Sequence, residues 1–190
     1  QSKNWAPIAG DGELTNKTLV ILGYGGIGSQ VAKLGKAFGM RVTGIRRNPQ
    51  DDEHADEVLG LDRFEELLPL TDYLVLSLPD SPQTRDIINA DILEKLSNSA
   101  MIINVGRGTA INEDDLTDAL NDGKIAAAAL DTTKVEPLDA NSSLWTAKNC
   151  FISAHDSAHS LLSLERAFEL FFQNIKNIKN GDPIVNLYSE

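Results

Sequence analysis

The feature that most constrains this chain is a glycine-rich hexapeptide, Gly23-Tyr24-Gly25-Gly26-Ile27-Gly28, set between an apolar run and a helical pattern. Thr18 to Leu22 reads as a buried strand leading into it. Beyond it, Val31, Leu34 and Phe38 fall on one helical face, Gly39 stops that helix, and Arg41 to Ile45 reads as a second strand. Strand, glycine turn, helix and strand in that order make a parallel βαβ unit.

The alternation continues along the chain. Tyr73 to Leu78, closed by Pro79 and Pro82, reads as a strand, as do Ala100 to Val105, Ile125 to Leu130 and Phe151 to Ser153. Phe64 to Leu68 supports a short helix at most. Asn89 is placed to cap a helix carrying Ile92, Leu93 and Leu96. Asn112 caps another, whose first turn holds Glu113, Asp114 and Asp115 where the helix dipole favours negative charge, and Gly123 ends it. The last element is an amphipathic helix with Leu161, Leu164, Phe168, Phe171, Phe172, Ile175 and Ile178 spaced by three and four, a stripe that needs covering. The expected fold class is α/β: a Rossmann-type doubly wound parallel sheet of about six strands, with a dinucleotide-binding domain over 1–156 and a C-terminal helix and tail over 157–190.

Composition narrows the function classes. A length of 190 residues suffices for one domain with a sizeable core. The net charge of -11, without a basic patch, argues against nucleic acid, and no apolar run approaches the roughly 18 residues that span a membrane. The single cysteine, Cys150, allows no internal disulfide and fits a reducing, cytoplasmic compartment. Beside Phe151 and Ile152 it reads as a structural thiol. No metal is expected. The first residue is Gln1, and nothing near it has the form of a signal peptide, so an excised piece is expected.

The glycine loop is the argument for a dinucleotide. Gly23 permits the tight turn, Gly25 lets the backbone approach a pyrophosphate, and Gly28 allows close helix-to-strand packing, with the amides of Gly26 and Ile27 aimed at phosphate oxygens. Where an acidic residue would accept from the ribose 2'-hydroxyl, at the end of the second strand, stand Arg46 and Arg47. Guanidinium groups cannot accept a hydrogen bond and do suit a 2'-phosphate, which predicts NADP over NAD. The alternative leaves both arginines solvated and has Asp51 or Asp52 reach back to the ribose of NAD.

Several stretches together resemble the D-isomer-specific 2-hydroxyacid dehydrogenases: Gly12-Glu13-Leu14, the glycine loop, Leu78-Pro79 with Thr84, Asn104-Val105-Gly106-Arg107-Gly108, Ala129-Leu130-Asp131, Glu136-Pro137-Leu138 and Ala154-His155. The resemblance implies an oxidoreductase acting on a small 2-keto or D-2-hydroxy acid, with Arg107, Glu136 and His155 as its catalytic set. It further implies that Leu78, Pro79, Thr84, Val105 and Gly106 line the cofactor and that Asp131 contacts the nicotinamide carboxamide.

The chemistry of each residue agrees. Arg107, in a glycine turn after a buried strand, can clamp a carboxylate and polarise a keto oxygen. His155, after another strand, can give a proton to the alkoxide and take it back in reverse. Glu136 can orient that imidazole and favour its charged form. Departures from the family's pattern follow His155, where Asp156-Ser157-Ala158-His159 makes His159 a competing candidate. His54 sits in an acidic stretch and reads as solvated.

By the same resemblance, the final helix and tail would cross to a substrate-contacting domain whose N-terminal part is not in this sequence. The chain is therefore expected to bind cofactor with little turnover by itself, and to dimerise through this domain. A dinucleotide-sensing protein of the corepressor type, built on the same fold, is the alternative from another class. Formate dehydrogenases are a nearer alternative, but they carry glutamine where this chain has Glu136.

Overall fold

The computed structural model describes residues 12–186, in two units, Gln1–Ala154 and His155–Glu190. The first is a parallel sheet of β1 (Thr18–Leu22), β2 (Arg41–Ile45), β3 (Glu57–Leu59), β4 (Tyr73–Leu76), β5 (Met101–Asn104), β6 (Ala127–Leu130) and β7 (Cys150–Ile152), in the order β3-β2-β1-β4-β5-β6-β7. The chain thus winds outward from β1 in one direction and then, from β4, in the other, which is the doubly wound arrangement. The expected sheet is confirmed, with seven strands rather than six. The unforeseen one is β3, whose three residues lie at the edge and pair only with β2.

Alternate residues of β1 face opposite layers. Val20 and Leu22 belong to the larger core, built with Ile92 and Leu93 of α3 (Ala90–Lys95) and Leu116, Ala119 and Leu120 of α4 (Glu113–Asn121). Leu19 and Ile21 belong to the smaller core, with Tyr24, Val42, Val75 and Ala32 of α1 (Gly26–Ala37). Asn89 and Asn112 cap α3 and α4 as expected, accepting from the amides of Ile92 at 3.2 Å and Asp115 at 3.3 Å. Between β3 and β4, α2 (Phe64–Leu67) is a single turn flanked by 3-10 turns.

The face that α1 buries corrects the expectation. Leu34 and Phe38 are 62% and 59% exposed, while Gly28, Ala32 and Gly35 are buried. The smaller residues win because the helix lies very close to the sheet: a Cβ on Gly35 would come within 2.6 Å of a Leu19 methyl. Large side chains at 34 and 38 would hold the helix off, whereas Val31 packs at the margin of the smaller core as expected.

Cys150 is half-buried, and its thiol is pushed up to about 11, first by burial and then by the charge of Glu113, consistent with a structural thiol. In the second unit α5 (Ser163–Asn180) ends at Gly181, with φ 77, and the following residues turn back along it. Asn177 Nδ2 donates to the Pro183 carbonyl at 2.8 Å, and the Val185 amide donates to Asn174 Oδ1 at 2.9 Å. The apolar stripe of α5 is exposed, Phe168, Phe171 and Phe172 included, and Leu161 lies ahead of the helix. Among the described residues no helix is long and apolar enough to cross a membrane.

Candidate cofactor groove and active site

Parallel pairing sets the strand ends in one row: Leu59, Ile45, Leu22, Leu76, Asn104, Leu130 and Ile152 are paired each with the next across the whole sheet. The segments carrying Arg46, Gly23, Leu78, Arg107 and Asp131 all leave the sheet at this rim.

The glycine loop sits at its middle. Gly23 has φ 101, and a Cβ there would lie 2.7 Å from the Ser77 carbonyl oxygen. Ser77 fastens the loop by donating its hydroxyl to the Gly23 carbonyl at 2.7 Å. A Cβ on Gly28 would meet that same carbonyl oxygen at 2.7 Å, whereas at Gly25 and Gly26 it would meet nothing within 4 Å. The backbone at 25 and 26 therefore faces open space. Ser29 makes the first helical bond, to the Gly25 carbonyl at 2.9 Å, which leaves the amides of Gly26, Ile27 and Gly28 with no carbonyl one turn back. Free amides, a helix N-terminus and a surface without side chains fit the pyrophosphate of a dinucleotide.

Tyr24 turns inward. It is 3% exposed, its ring covers Gly44, and its amide donates to the Ile45 carbonyl at 2.8 Å. Its hydroxyl is pushed up to about 12, first by burial and then by Asp52 opposite it. The Asp52 carboxyl accepts from the His54 amide at 2.8 Å. That bond first, then the Tyr24 hydroxyl and the Arg46 charge, hold it below the usual carboxylate range against the opposing effect of burial. Arg46 is half-buried, with its amide on the Leu59 carbonyl at 3.0 Å, and Arg47 is exposed. His54 is half-buried, 3.8 Å from the Glu53 carboxylate.

On the other side of the loop, Gly106 presses against the segment after β4: a Cβ on it would come within 2.7 Å of the Leu78 amide nitrogen. Leu78 and Val105 are half-buried and Pro79 is exposed. Thr84 works within this segment, donating its hydroxyl to the Pro79 carbonyl at 2.7 Å. Arg107 is exposed, and its guanidinium donates to the Gly106 carbonyl at 2.8 Å. Asp80 lies within electrostatic reach of Arg107 and is bound by Arg85 at 3.1 Å and by the Thr109 hydroxyl at 2.9 Å.

Asp131 is 6% exposed, with its amide on the Asn104 carbonyl at 2.9 Å and one carboxyl oxygen accepting from the Ser153 hydroxyl at 2.6 Å. Glu136 closes the loop after β6 by accepting the Thr133 amide at 3.1 Å. The turn of Arg107 and this loop touch backbone to backbone, since a Cβ on Gly108 would overlap the Thr133 carbonyl. Arg107, Asp131 and Glu136 are thus carried by adjoining segments. His155, with φ 52, opens the second unit directly after Ala154, and His159 follows it there, its amide on the Asp156 carbonyl at 2.9 Å.

The sequence reading missed three supports of this rim. Asn104, Ser77 and Ser153 are polar residues closing apolar strand runs, and a polar residue in that place is the signal that could have found them.

Residues 1–157 match the family described as D-isomer specific 2-hydroxyacid dehydrogenase, NAD binding domain. Hydroxypyruvate reductase of Blautia hydrogenotrophica is 36% identical over 90% of this chain and 53% of its own length. Human glyoxylate reductase/hydroxypyruvate reductase is 39% identical over 80% of this chain and 47% of its own length. An NADPH-dependent glyoxylate/hydroxypyruvate reductase of Sinorhizobium meliloti, solved with NADP and sulfate, superposes with a TM-score of 0.86 at 29% identity, covering 97% of this chain and 59% of that one. The chain spans about half the length of the curated relatives it matches.

Proposed function

The chain belongs to the D-isomer specific 2-hydroxyacid dehydrogenases, through their NAD-binding domain, and on that premise we propose that the whole protein moves a hydride between NAD(P)H and a small 2-keto acid. Glyoxylate and hydroxypyruvate are the substrates to test first, since reductases of these acids are among its relatives. The observation that carries the reading is the shared rim, where the open backbone at Gly25 and Gly26 and the turn of Arg107 leave the same row of strand ends.

The nicotinamide, when bound, supplies the hydride that reaches C2 of the keto acid. Arg107 binds the substrate carboxylate and polarises the keto oxygen, in a fork geometry that suits both. Its bond to the Gly106 carbonyl gives the guanidinium a set direction before substrate arrives. His155 gives its proton to the oxygen as C2 takes the hydride, leaving a D-2-hydroxy acid and a neutral imidazole. Glu136 orients that imidazole from the loop after β6. Asp131 accepts the carboxamide of the nicotinamide, and Leu78, Pro79, Thr84, Val105 and Gly106 shape the channel.

Arg46 and Arg47 favour NADP over NAD, a preference supported by the NADPH-dependent relative. The half-buried lone cysteine supports a reducing, cytoplasmic setting, and the exposed apolar face of α1, with Leu34 and Phe38, supports a homodimer. The test is a screen of 2-keto acids with NADPH and NADH on the whole protein. Turnover of glyoxylate or hydroxypyruvate, lost in Arg107→Ala, is expected, and binding of dinucleotide without oxidation by any 2-keto acid would refute it.

A further inference from the structure

The stretches 78–88, 104–113 and 131–138, which run out from the rim around the Arg107 turn, carry three cations: Arg85, Arg107 and Lys134. Two of them are taken up by carboxylates. Arg85 grips Asp80 with two arms, Nε to Oδ1 at 3.1 Å and Nη2 to Oδ2 at 3.2 Å, and Lys134 Nζ donates to Asp86 Oδ1 at 3.3 Å. Arg107 donates instead to a neutral group, the Gly106 carbonyl. The Asp80 oxygen that takes Arg85 Nε also accepts the Thr109 hydroxyl, at 2.9 Å. Thr109 lies two residues beyond Arg107, and its carbonyl accepts the Asp86 amide at 2.8 Å. The Arg85 fork is thereby held against the Arg107 turn. Arg85 first, Thr109 next and then the Arg107 charge keep the Asp80 carboxyl below the usual carboxylate range, so it is ionised at neutral pH. Asp80 and Arg85 are both exposed, where an ion pair adds little to stability, so folding alone gives the pair no reason to stand there.

We propose that Asp80 sets the charge of the substrate: by closing the Arg85 fork beside the Arg107 turn, it leaves one guanidinium for anions and confines the site to 2-keto acids with a single anionic group. The carboxylate of such an acid sits on Arg107. A second anion on the same molecule, whether a phosphate ester or another carboxylate, needs a second fork. Arg85 is that fork, and Asp80 occupies it while repelling the newcomer. Asp80 is thus a specificity-determining residue that acts through Arg85. The proposal rests on the keto-acid reading above.

Hydroxypyruvate and its phosphate ester, compared as substrates of the whole protein at saturating dinucleotide, test it. Wild type is expected to favour hydroxypyruvate in kcat/KM. Asp80→Asn keeps an oxygen for the Thr109 hydroxyl and releases the Arg85 charge. It should raise the kcat/KM of the phosphate ester relative to hydroxypyruvate by about fivefold or more, a gain that shrinks at high salt. Adding Arg85→Gln to Asp80→Asn should abolish the gain, because the released guanidinium is its source. A merely structural pair would lower the unfolding temperature and slow both substrates alike, and an unmoved ratio in Asp80→Asn overturns the proposal. So does a gain that survives in the double variant, or a wild type that prefers the phosphate ester. Wild-type protein that reduces no 2-keto acid at all overturns it together with the keto-acid reading.

Discussion

Asn104 grips the turn of Arg107 from both ends: its Nδ2 donates to the Arg107 carbonyl at 3.0 Å while its Oδ1 accepts the Gly106 amide at 3.0 Å. The side chain is wholly buried. Asn104→Ala leaves an amide and a carbonyl without partners, and should cost about 1–3 kcal/mol in denaturant unfolding. The loss should also raise the KM for keto acid more than the Kd for dinucleotide, because the loosened turn carries the guanidinium proposed to clamp the substrate. Unfolding unchanged from wild type would show that the turn holds itself.

Gly25 and Gly28 separate binding from folding. Gly25→Ala projects into open space from an extended backbone, φ -117, so stability should stay within about 0.5 kcal/mol of wild type. The same methyl stands where the pyrophosphate is proposed to approach, and the dinucleotide Kd should rise by about tenfold or more. Gly28→Ala drives a Cβ into the Gly23 carbonyl and should destabilise by about 1–3 kcal/mol. Denaturation and titration of both variants check the contrast, and a destabilised Gly25→Ala protein that binds normally would reverse it.

Arg46 and Arg47 should act on one cofactor. Replacing both by glutamine is expected to weaken NADPH far more than NADH, since only the former brings a 2'-phosphate to the guanidinium forks. Titrations with the two cofactors at fixed ionic strength measure this, and equal losses would remove the arginines from the site.

Acid stability should depend on Asp56 and Asp72, which fasten the starts of neighbouring strands. Asp56 is held below the usual carboxylate range by Lys36 and then by the Val42 amide. For Asp72 burial resists ionisation, but the Thr18 amide at 2.9 Å and Lys17 at 2.9 Å together outweigh it. A depressed folded pKa means that the stabilisation is full above the unfolded value of about 4 and disappears as pH falls through the folded one. Asp72→Asn should therefore be less stable than wild type at neutral pH and converge on it below about pH 4. Parallel pH–stability curves for the two proteins would contradict this.

The parts of the fold legible in the sequence are those whose signals are local. The turn at Gly23 needs a positive φ, the caps at Asn89 and Asn112 act within three residues, and β1, β4 and β5 are apolar because both their faces are covered. β3 gave no such signal, since an edge strand of Glu57, Val58 and Leu59 is short and has one neighbour to satisfy. The face of α1 was misread because large apolar residues and a Gly-Ala-Gly stripe compete for the sheet, and the distance between helix and strand, which sequence spacing does not report, decides between them. That the segments of Arg107 and Asp131 leave the sheet at one rim could be read from the strands before them. The inward turn of Tyr24 could not, because it depends on Gly44 lacking a side chain in a strand twenty residues on. The bonds from Ser77 to Gly23 and from Ser153 to Asp131 join segments far apart in the chain and leave no periodicity to detect.

Hydride transfer requires that the rim of this sheet bring a nicotinamide and a keto acid together. Single-turnover reaction of the whole protein with NADPH deuterated at both C4 positions, followed by mass and stereochemical analysis of the product, is the decisive experiment. The expected product is a D-2-hydroxy acid with the label on C2, formed from hydroxypyruvate or glyoxylate (for the latter as a single enantiotopic deuterium) and abolished in His155→Ala. With both C4 positions deuterated, a hydroxy acid that carries no deuterium on C2, or label appearing in the solvent, would contradict hydride transfer.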